Sequence, residues 1–311
     1  MTLLELKKAF HEGSIDKASF IREANEFHSV LSHYPEVLVN SAVDEIKINV
    51  SGVAFHIAED DLWIRYPPGE SRVAPVEILN FGGYEPQETQ LMLQLLRESQ
   101  VIFDVGANIG WYTLLFARRF PGASIHAFEP LPYFSKFLVE NVTANGFDNK
   151  VNTHSIGFSS EAGSVDIFLD KGNGTNASMR NVADAAGAIS VPVEVVKMDD
   201  WCAEHALWPD FIKCDVEGAE LLVVQGATKT LAERRPVVFL EILRKWSKAY
   251  DYHPNELIEL LTGMGYECFG IGPDGAHRIQ DVTEATPETN YVFLHLEAHS
   301  DLCEQMVGPS V

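Results

Sequence analysis

Two short stretches of this sequence hold the residue types that chemistry needs. The first, VIFDVGANIGWYT at 101–113, passes from strand-like apolar residues through Asp104 into a turn framed by Gly106 and Gly110, then into a helix. Glycine at such a turn removes a side chain where the backbone bends sharply and a ligand comes close. The dinucleotide fingerprint GxGxxG needs a further glycine beside the pyrophosphate. Here Ala107 and Asn108 follow Gly106 instead. Asp104 closes the strand, and a carboxylate there repels a pyrophosphate and attracts an ammonium. The expected ligand therefore carries positive charge and no phosphate. A second carboxylate, Glu129, ends the next strand in IHAFEP, 25 residues after Asp104, where it can accept both hydroxyls of a ribose. S-Adenosyl-L-methionine, with its ammonium, sulfonium and adenosine, meets that description. A nicotinamide dinucleotide meets it less well, because the third glycine is missing and the strand end is acidic.

The second stretch is FIKCDVEGAE at 211–220. Strand alternation puts Lys213 and Asp215 on one face, with Ile212 and Cys214 on the other. Charged residues in a covered strand are costly unless partnered, and the C-terminal edge of such a strand opens onto the ligand crevice. Gly218 then lets the chain leave into the helix that carries Glu220. Asp215 and Glu217 are expected to face the site. One of them can take the proton of an attacking hydroxyl, or hold a sulfonium or a divalent metal; no metal is specifically predicted. The alternative is a structural Lys213–Asp215 ion pair, with Glu217 or Glu220 capping a helix. Glu88 either reaches the methionine end of the cofactor or is an exposed first-turn residue. Asp199 and Asp200 border the pocket or cap a helix, and Glu241 ends its strand on the crevice edge. The loop GNGTNASM at 172–179 has groups for a hydroxylated acceptor, or is simply a solvated loop. His154 is read as a satisfied strand histidine, and Trp63, Tyr66 and Tyr84 as core aromatics that could also stack on an acceptor.

Positioning these groups takes alternating strands and helices. Short, continuously apolar runs at 101–105, 124–129, 151–156, 211–215 and 236–242 read as strands covered on both faces. Helices are expected at 86–98, 110–120, 132–145 and 218–232, the third stopped by Asn145–Gly146. This is the pattern of an α/β, doubly wound, mostly parallel sheet. An insertion at 158–200 contains SVDIFL and VPVEVVKM, an expected antiparallel pair. After a helix at 255–263, YECFGI and NYVFLHL are expected to add a hairpin at the sheet edge. Residues 1–80 read as a small α+β N-terminal appendage, for acceptor binding or oligomerisation: helical over 1–34, then strands over 45–66. The main domain spans 81–300, and 301–311 form a tail.

Composition narrows the partners. The 311 residues include 45 acidic and 23 basic side chains, a net charge of −22, which repels nucleic acid and anionic membranes. No apolar run approaches the ~20 residues of a membrane span, and MTLLELKKAFHEG lacks the apolar core of a signal peptide. The four cysteines form no CxxC pair. The expected compartment is the cytoplasm.

VIFDVGANIGWYTLLFA, IHAFEPLPYFSKFLVENVTANG, DFIKCDVEGAELLVVQGA and RPVVFLEI together resemble the FkbM family of class I S-adenosylmethionine-dependent methyltransferases, over about 84–296. The resemblance implies a seven-stranded Rossmann-like sheet and O-methylation of a hydroxyl on a small molecule, a sugar or glycan, or a secondary metabolite. The expected cofactor contacts are Glu88, Asp104, Gly106, Ala107, Asn108, Gly110, Glu129 and Pro130, and the expected catalytic residues Asp215, Glu217 and Lys213. Gly157 stands where the family usually has alanine. The rival readings are a protein that binds the cofactor without chemistry and an NAD-linked oxidoreductase. A homo-oligomer stays open.

Overall fold

The structure is a computed structural model that describes residues 1–97, 100–170, 173–178, 189–272 and 275–307. It opens with two helices, α1 (Leu3–His11) and α2 (Lys17–Ser29), where the apolar spacing predicts one helical run. Gly13, at φ +72°, breaks that run, and Asp16 restarts it by accepting from the Ser19 N–H at 2.8 Å. Pro35 lies in the first turn of α3 (Tyr34–Leu38), where its missing N–H costs nothing, and does not mark a helix end. An antiparallel meander follows: β1 (Val43–Asn49), β2 (Gly52–Ile57) and β3 (Leu62–Tyr66). The Tyr66 side chain lies outside the described part of the structure.

After α4 (Ala74–Phe81) and α5 (Pro86–Leu95), strands and helices alternate through β4 (Val101–Val105), α6 (Trp111–Arg119), β5 (Ser124–Phe128), α7 (Pro132–Ala144) and β6 (Val151–His154). The insertion forms its own sheet from β7 (Gly157–Phe158), β8 (Gly163–Asp170), β9 (Asn173–Ser178) and β10 (Ile189–Val196). Within it β8 and β10 are the antiparallel pair that their alternation predicts, with Val165 opposite Val193. The centre of GNGTNASM is strand β9, not loop; Gly172 and Met179 lie outside the described residues. The chain continues through α8 (Met198–His205), β11 (Phe211–Cys214), α9 (Glu220–Gln225), α10 (Thr228–Arg234), β12 (Val237–Glu241), α11 (Arg244–Ala249) and α12 (Pro254–Thr262). The single helix expected over 218–232 is two, broken at Gly226 and Ala227; Gly226 packs directly on the Ser159 carbonyl, where a Cβ would collide. The chain closes with β13 (Tyr266–Gly272), β14 (Gly275–Arg278), β15 (Asn290–His295) and α13 (Ser300–Val307); residues 308–311 of the tail lie outside the described part.

The central sheet runs β14-β13-β15-β12-β11-β4-β5-β6. Strands β12, β11, β4, β5 and β6 are parallel, while β15 and β13 are antiparallel additions. The short edge strand β14 makes eight where seven are expected. Strand order reverses between β4 and β11, which opens a crevice beyond the strand ends at that point. Apolar side chains cover both faces of the sheet. The meander shares one of those cores: Phe55, Ile57, Leu62 and Ile64 pack with Ile102, Leu114 and Leu138. Its open edge is satisfied by two asparagines of the α7 segment. Asn141 Oδ1 accepts from the Arg65 N–H at 2.8 Å, and Asn145 both accepts from the Trp63 N–H and donates to the Trp63 carbonyl, at 2.9 and 2.7 Å. Among the described residues no helix is long and apolar enough to cross a membrane.

Candidate active site

The crevice holds a cavity of about 440 Å³, within the range of small-molecule sites. Its floor is the turn after β4. Gly106 takes φ +77° there and cannot be replaced by a larger residue, because a Cβ would collide with the Asp215 carbonyl of the neighbouring strand. Gly110, at φ +94°, lies against Leu138 of α7 and does not line the cavity. Both glycines thus answer first to chain crossings inside the protein. Between them Asn108 adopts a left-handed φ of +51°, so its N–H points at Glu129 Oε2, 2.9 Å away. Glu129 Oε1 accepts from the Leu131 N–H at 2.9 Å. A carboxylate has about four acceptor positions, so each oxygen keeps one for a ligand. Burial raises the Glu129 carboxyl to about 7 despite those two N–H donors. Pro130 forms the adjoining wall, and Gly157 leaves room beside it: a Cβ there would sit 3.3 Å from Val195 and 3.4 Å from Pro130.

The opposite wall comes from the ends of β11 and β12. Lys213 is 4% exposed; its Nζ lies 3.3 Å from Asp215 Oδ2, 3.9 Å from Asp104 Oδ1 and 5.2 Å from the Tyr112 ring centroid. Burial alone would lower its pKa, but Asp215, Asp104, Glu85 and Glu241 together hold it above the ordinary lysine range. Lys213 is therefore a fixed cation. Glu217, left-handed at φ +53°, and Glu241 also line the cavity; burial first, and the charge of Asp215 second, raise both carboxyls. Glu220 is held elsewhere: it accepts from the Val216 and Gly218 N–H groups at 3.1 and 3.0 Å and from the Tyr252 hydroxyl at 3.2 Å, which braces the turn after β11.

Besides Gly110, two expected cofactor contacts stand back from the cavity. Asp104 is 1% exposed and does not line it. Its Oδ2 accepts from the Thr113 hydroxyl at 2.5 Å, and its Oδ1 is buried without a hydrogen-bond partner, facing Lys213. The strand end turns this carboxylate beneath the floor, so any ligand meets its charge through Lys213. Glu88 also stays off the wall, where its Oε1 accepts from Asn290 at 3.2 Å. Glu85, three residues earlier, is in the wall: it accepts from the Tyr112 hydroxyl at 2.5 Å, and burial raises it to about 7. Its signal in the sequence was its place before Pro86; the left-handed φ of +44° that aims it was not visible. Arg72, Ile167 and Trp246 reach the cavity from the segment before α4, from β8 and from α11.

The remaining candidates lie elsewhere. Asp199 accepts from the Lys229 and Thr230 N–H groups at 2.9 and 2.7 Å and so caps the start of α10. His154 pairs with His126 at 3.1 Å, and burial lowers both to about 4. Trp63 sits under the Lys47 ammonium at 3.9 Å, on the meander. Tyr84 does line the cavity. Among the described residues no group of three His, Cys, Asp or Glu side chains is arranged to hold a metal ion.

The sequence matches the methyltransferase FkbM domain over residues 104–268, more than half of the chain. The chain belongs to the FkbM methyltransferase family. The matched span of this FkbM-family chain contains the floor turn, Glu129 and the β11–β12 wall, while Arg72 and Glu85 precede it. The 31-O-demethyl-FK506 methyltransferase FkbM of Streptomyces tacrolimicus is 40% identical over 199 residues, 55% of this chain and 74% of that protein. Methyltransferase sdnD of Sordaria araneosa is 30% identical, over 42% of this chain and 61% of its own length. The 2-O-methyltransferase NoeI of Sinorhizobium fredii is 29% identical, over 47% of this chain and 65% of its own length. The chain thus spans less than two thirds of the latter two relatives. The crystal structure of methyltransferase FkbM from Methylobacillus flagellatus KT superposes with a TM-score of 0.42 at 18% identity, covering 65% of this chain and 45% of that one.

Proposed function

We propose that this protein is an S-adenosyl-L-methionine-dependent O-methyltransferase acting on a hydroxyl of a small molecule or sugar. The observation that carries the reading is the charge of one cavity. Glu85, Glu129, Asp215, Glu217 and Glu241 line it around a single deeply buried cation, Lys213, with Arg72 and Lys245 at its exposed rim. Such a wall suits a cationic ligand and repels a pyrophosphate. The donor set fits the cofactor: Glu129 has free acceptor positions for the ribose hydroxyls, next to the backbone of Gly106, Ala107 and Asn108 and to Pro130. When bound, the cofactor supplies a methyl group on a sulfonium for in-line displacement. The protein's own part is to hold the acceptor and take its proton. Asp215, fixed by Lys213 at 3.3 Å, is the proton acceptor in this reading, with Glu217 beside it. Asp104 and Thr113 brace Lys213 from below.

The acceptor is recognised by residues from outside the strand ends: Arg72, Tyr84, Ile167 and Trp246. NoeI is named a 2-O-methyltransferase, and another relative, AglP of Haloferax volcanii, a hexuronic acid methyltransferase; both names support a hydroxylated acceptor. The net charge of −22 supports a protein that avoids nucleic acid and anionic membranes. Calorimetry with S-adenosylmethionine and with NAD tests the cofactor: binding of the first alone is expected, and failure to bind it sinks the proposal. Formation of S-adenosylhomocysteine with a panel of alcohols and sugars tests the reaction. In that assay Asp215→Asn is expected to lose about a hundredfold in kcat with cofactor affinity retained; unchanged turnover would remove Asp215 from the mechanism.

A further inference from the structure

Asp215 and Glu241 leave the sheet side by side. Strands β11 and β12 are parallel with Cys214 opposite Leu240, so the next residue of each chain segment is Asp215 and Glu241. Both line the cavity, so two carboxyl groups face the same space from neighbouring strand ends. Two ionised carboxylates so placed repel each other and can only accept hydrogen bonds, so a proton on one of the two turns the repulsion into a hydrogen bond. Their surroundings decide which one. Asp215 has the Lys213 ammonium at 3.3 Å, and the cation pairs with its carboxylate. Glu241 has Asp215 beside it and shares the cavity with Glu85, Glu217, Tyr84, Lys213 and, from α11, Lys245. Burial first, and three acidic neighbours after it, favour its neutral form.

We propose that Glu241 is the positioning residue for the proton acceptor: its protonated carboxyl donates to one Asp215 oxygen while Lys213 holds the other. The inference rests on the methyl-transfer reading above, with Asp215 as base. As the acceptor's oxygen–methyl bond forms, its O–H bond breaks and the proton passes to Asp215. The electron pair of the broken carbon–sulfur bond stays on the sulfur of the methyl donor. Glu241 keeps its own proton throughout. Two donors on one carboxylate fix the direction of its remaining lone pairs, and burial of Glu241 keeps its proton in place near neutrality.

Glu241→Gln keeps a donor at this position and Glu241→Leu removes it, so the pair separates positioning from charge. In S-adenosylhomocysteine release, E241L is expected to lose about a hundredfold in kcat with cofactor affinity unchanged, and E241Q to recover to within about tenfold of wild type. Wild type is expected to decline at alkaline pH, as Glu241 ionises and repels Asp215, while E241Q shows no such decline. E241Q as impaired as E241L would mean that the carboxylate itself is required, and would overturn the proposal; so would E241L with wild-type kcat. Carboxyl ¹³C NMR of wild type, with the Glu241 resonance assigned by its loss in E241Q, gives a readout that needs no acceptor. A Glu241 carboxyl protonated at pH 7 is expected, and an ionised Glu241 overturns the inference. A protonated Glu241 in a protein that turns over no acceptor would instead refute the methyl-transfer reading and leave the proton placement standing.

Discussion

Cofactor binding should release protons, and the amount follows from two carboxyls in the cavity wall. Burial holds Glu85 and Glu129 at about 7 in the ligand-free protein. A bound cation favours the ionised form of both, and ribose hydroxyls donating to Glu129 favour it further. Binding therefore pulls both values down, and affinity must fall as pH falls through 7, because each carboxyl must lose its proton first. The ligand's own α-amino group titrates near about 7.7–8.0, so the informative range lies below pH 7. A fall from about 7 to about 5 on binding weakens affinity about tenfold per group between pH 7 and pH 5.5, at about 1.4 kcal/mol per pKa unit. For the two groups together that is about a hundredfold, with about half a proton released by each at pH 7. Titration calorimetry in two buffers of different ionisation enthalpy measures both quantities. Glu129→Gln should bind more weakly at pH 7 and show a shallower pH dependence. A flat affinity from pH 5.5 to 7 with no net proton release would refute the reasoning, since it would mean that neither carboxyl meets the cofactor.

Two stability predictions follow from chain crossings near the site. Gly106→Ala places a methyl group against the Asp215 carbonyl at a left-handed φ, and should lower unfolding stability by at least about 2 kcal/mol; an unchanged urea midpoint would contradict the packing of the floor on β11. Asn141→Leu removes the fully buried group that accepts from the Arg65 N–H at 2.8 Å and donates to the Ile109 carbonyl at 2.9 Å. With both left unpaired, the loss should be about 3 kcal/mol in denaturant unfolding, and a loss below about 1 kcal/mol would show that the meander docks by apolar contact alone.

What could be read from the sequence was whatever lay within one strand and the turn that follows it. Continuously apolar runs marked β4, β5, β11 and β12, and strand ends beside a change of winding direction open onto one crevice. Glu129, Lys213, Asp215 and Glu217 could therefore be assigned to a common cavity from spacing alone, and the structure brings those four together. Asp104 shows the limit of that logic. Strand alternation says which face a residue takes, but not whether the turn beyond will cover it, and here Gly106 folds the chain against Asp215 so tightly that Asp104 ends beneath the floor.

Glu85 shows a different limit. Helical spacing could not choose between Glu85 and Glu88, because the choice is made by a left-handed residue at the helix start, at φ +44°, and a non-glycine side chain carries no local mark of that conformation. Arg72, Ile167 and Trp246 are further still from being legible, since each reaches the cavity from an element that packs on the sheet through long-range contacts. The division has a physical cause. In the proposed reading the cofactor-side residues follow β4 and β5, neighbouring parallel strands joined by α6, so one βαβ unit positions them. In the same reading the acceptor-side residues, Arg72, Tyr84, Ile167 and Trp246, are set by how the segments flanking α4, the inserted sheet and α11 dock. Changes there can alter the acceptor without disturbing the Gly106–Asp215 crossing or the Glu129 contacts to Asn108 and Leu131, which is why a turn can be read for its methyl donor and stay silent about what receives the methyl group.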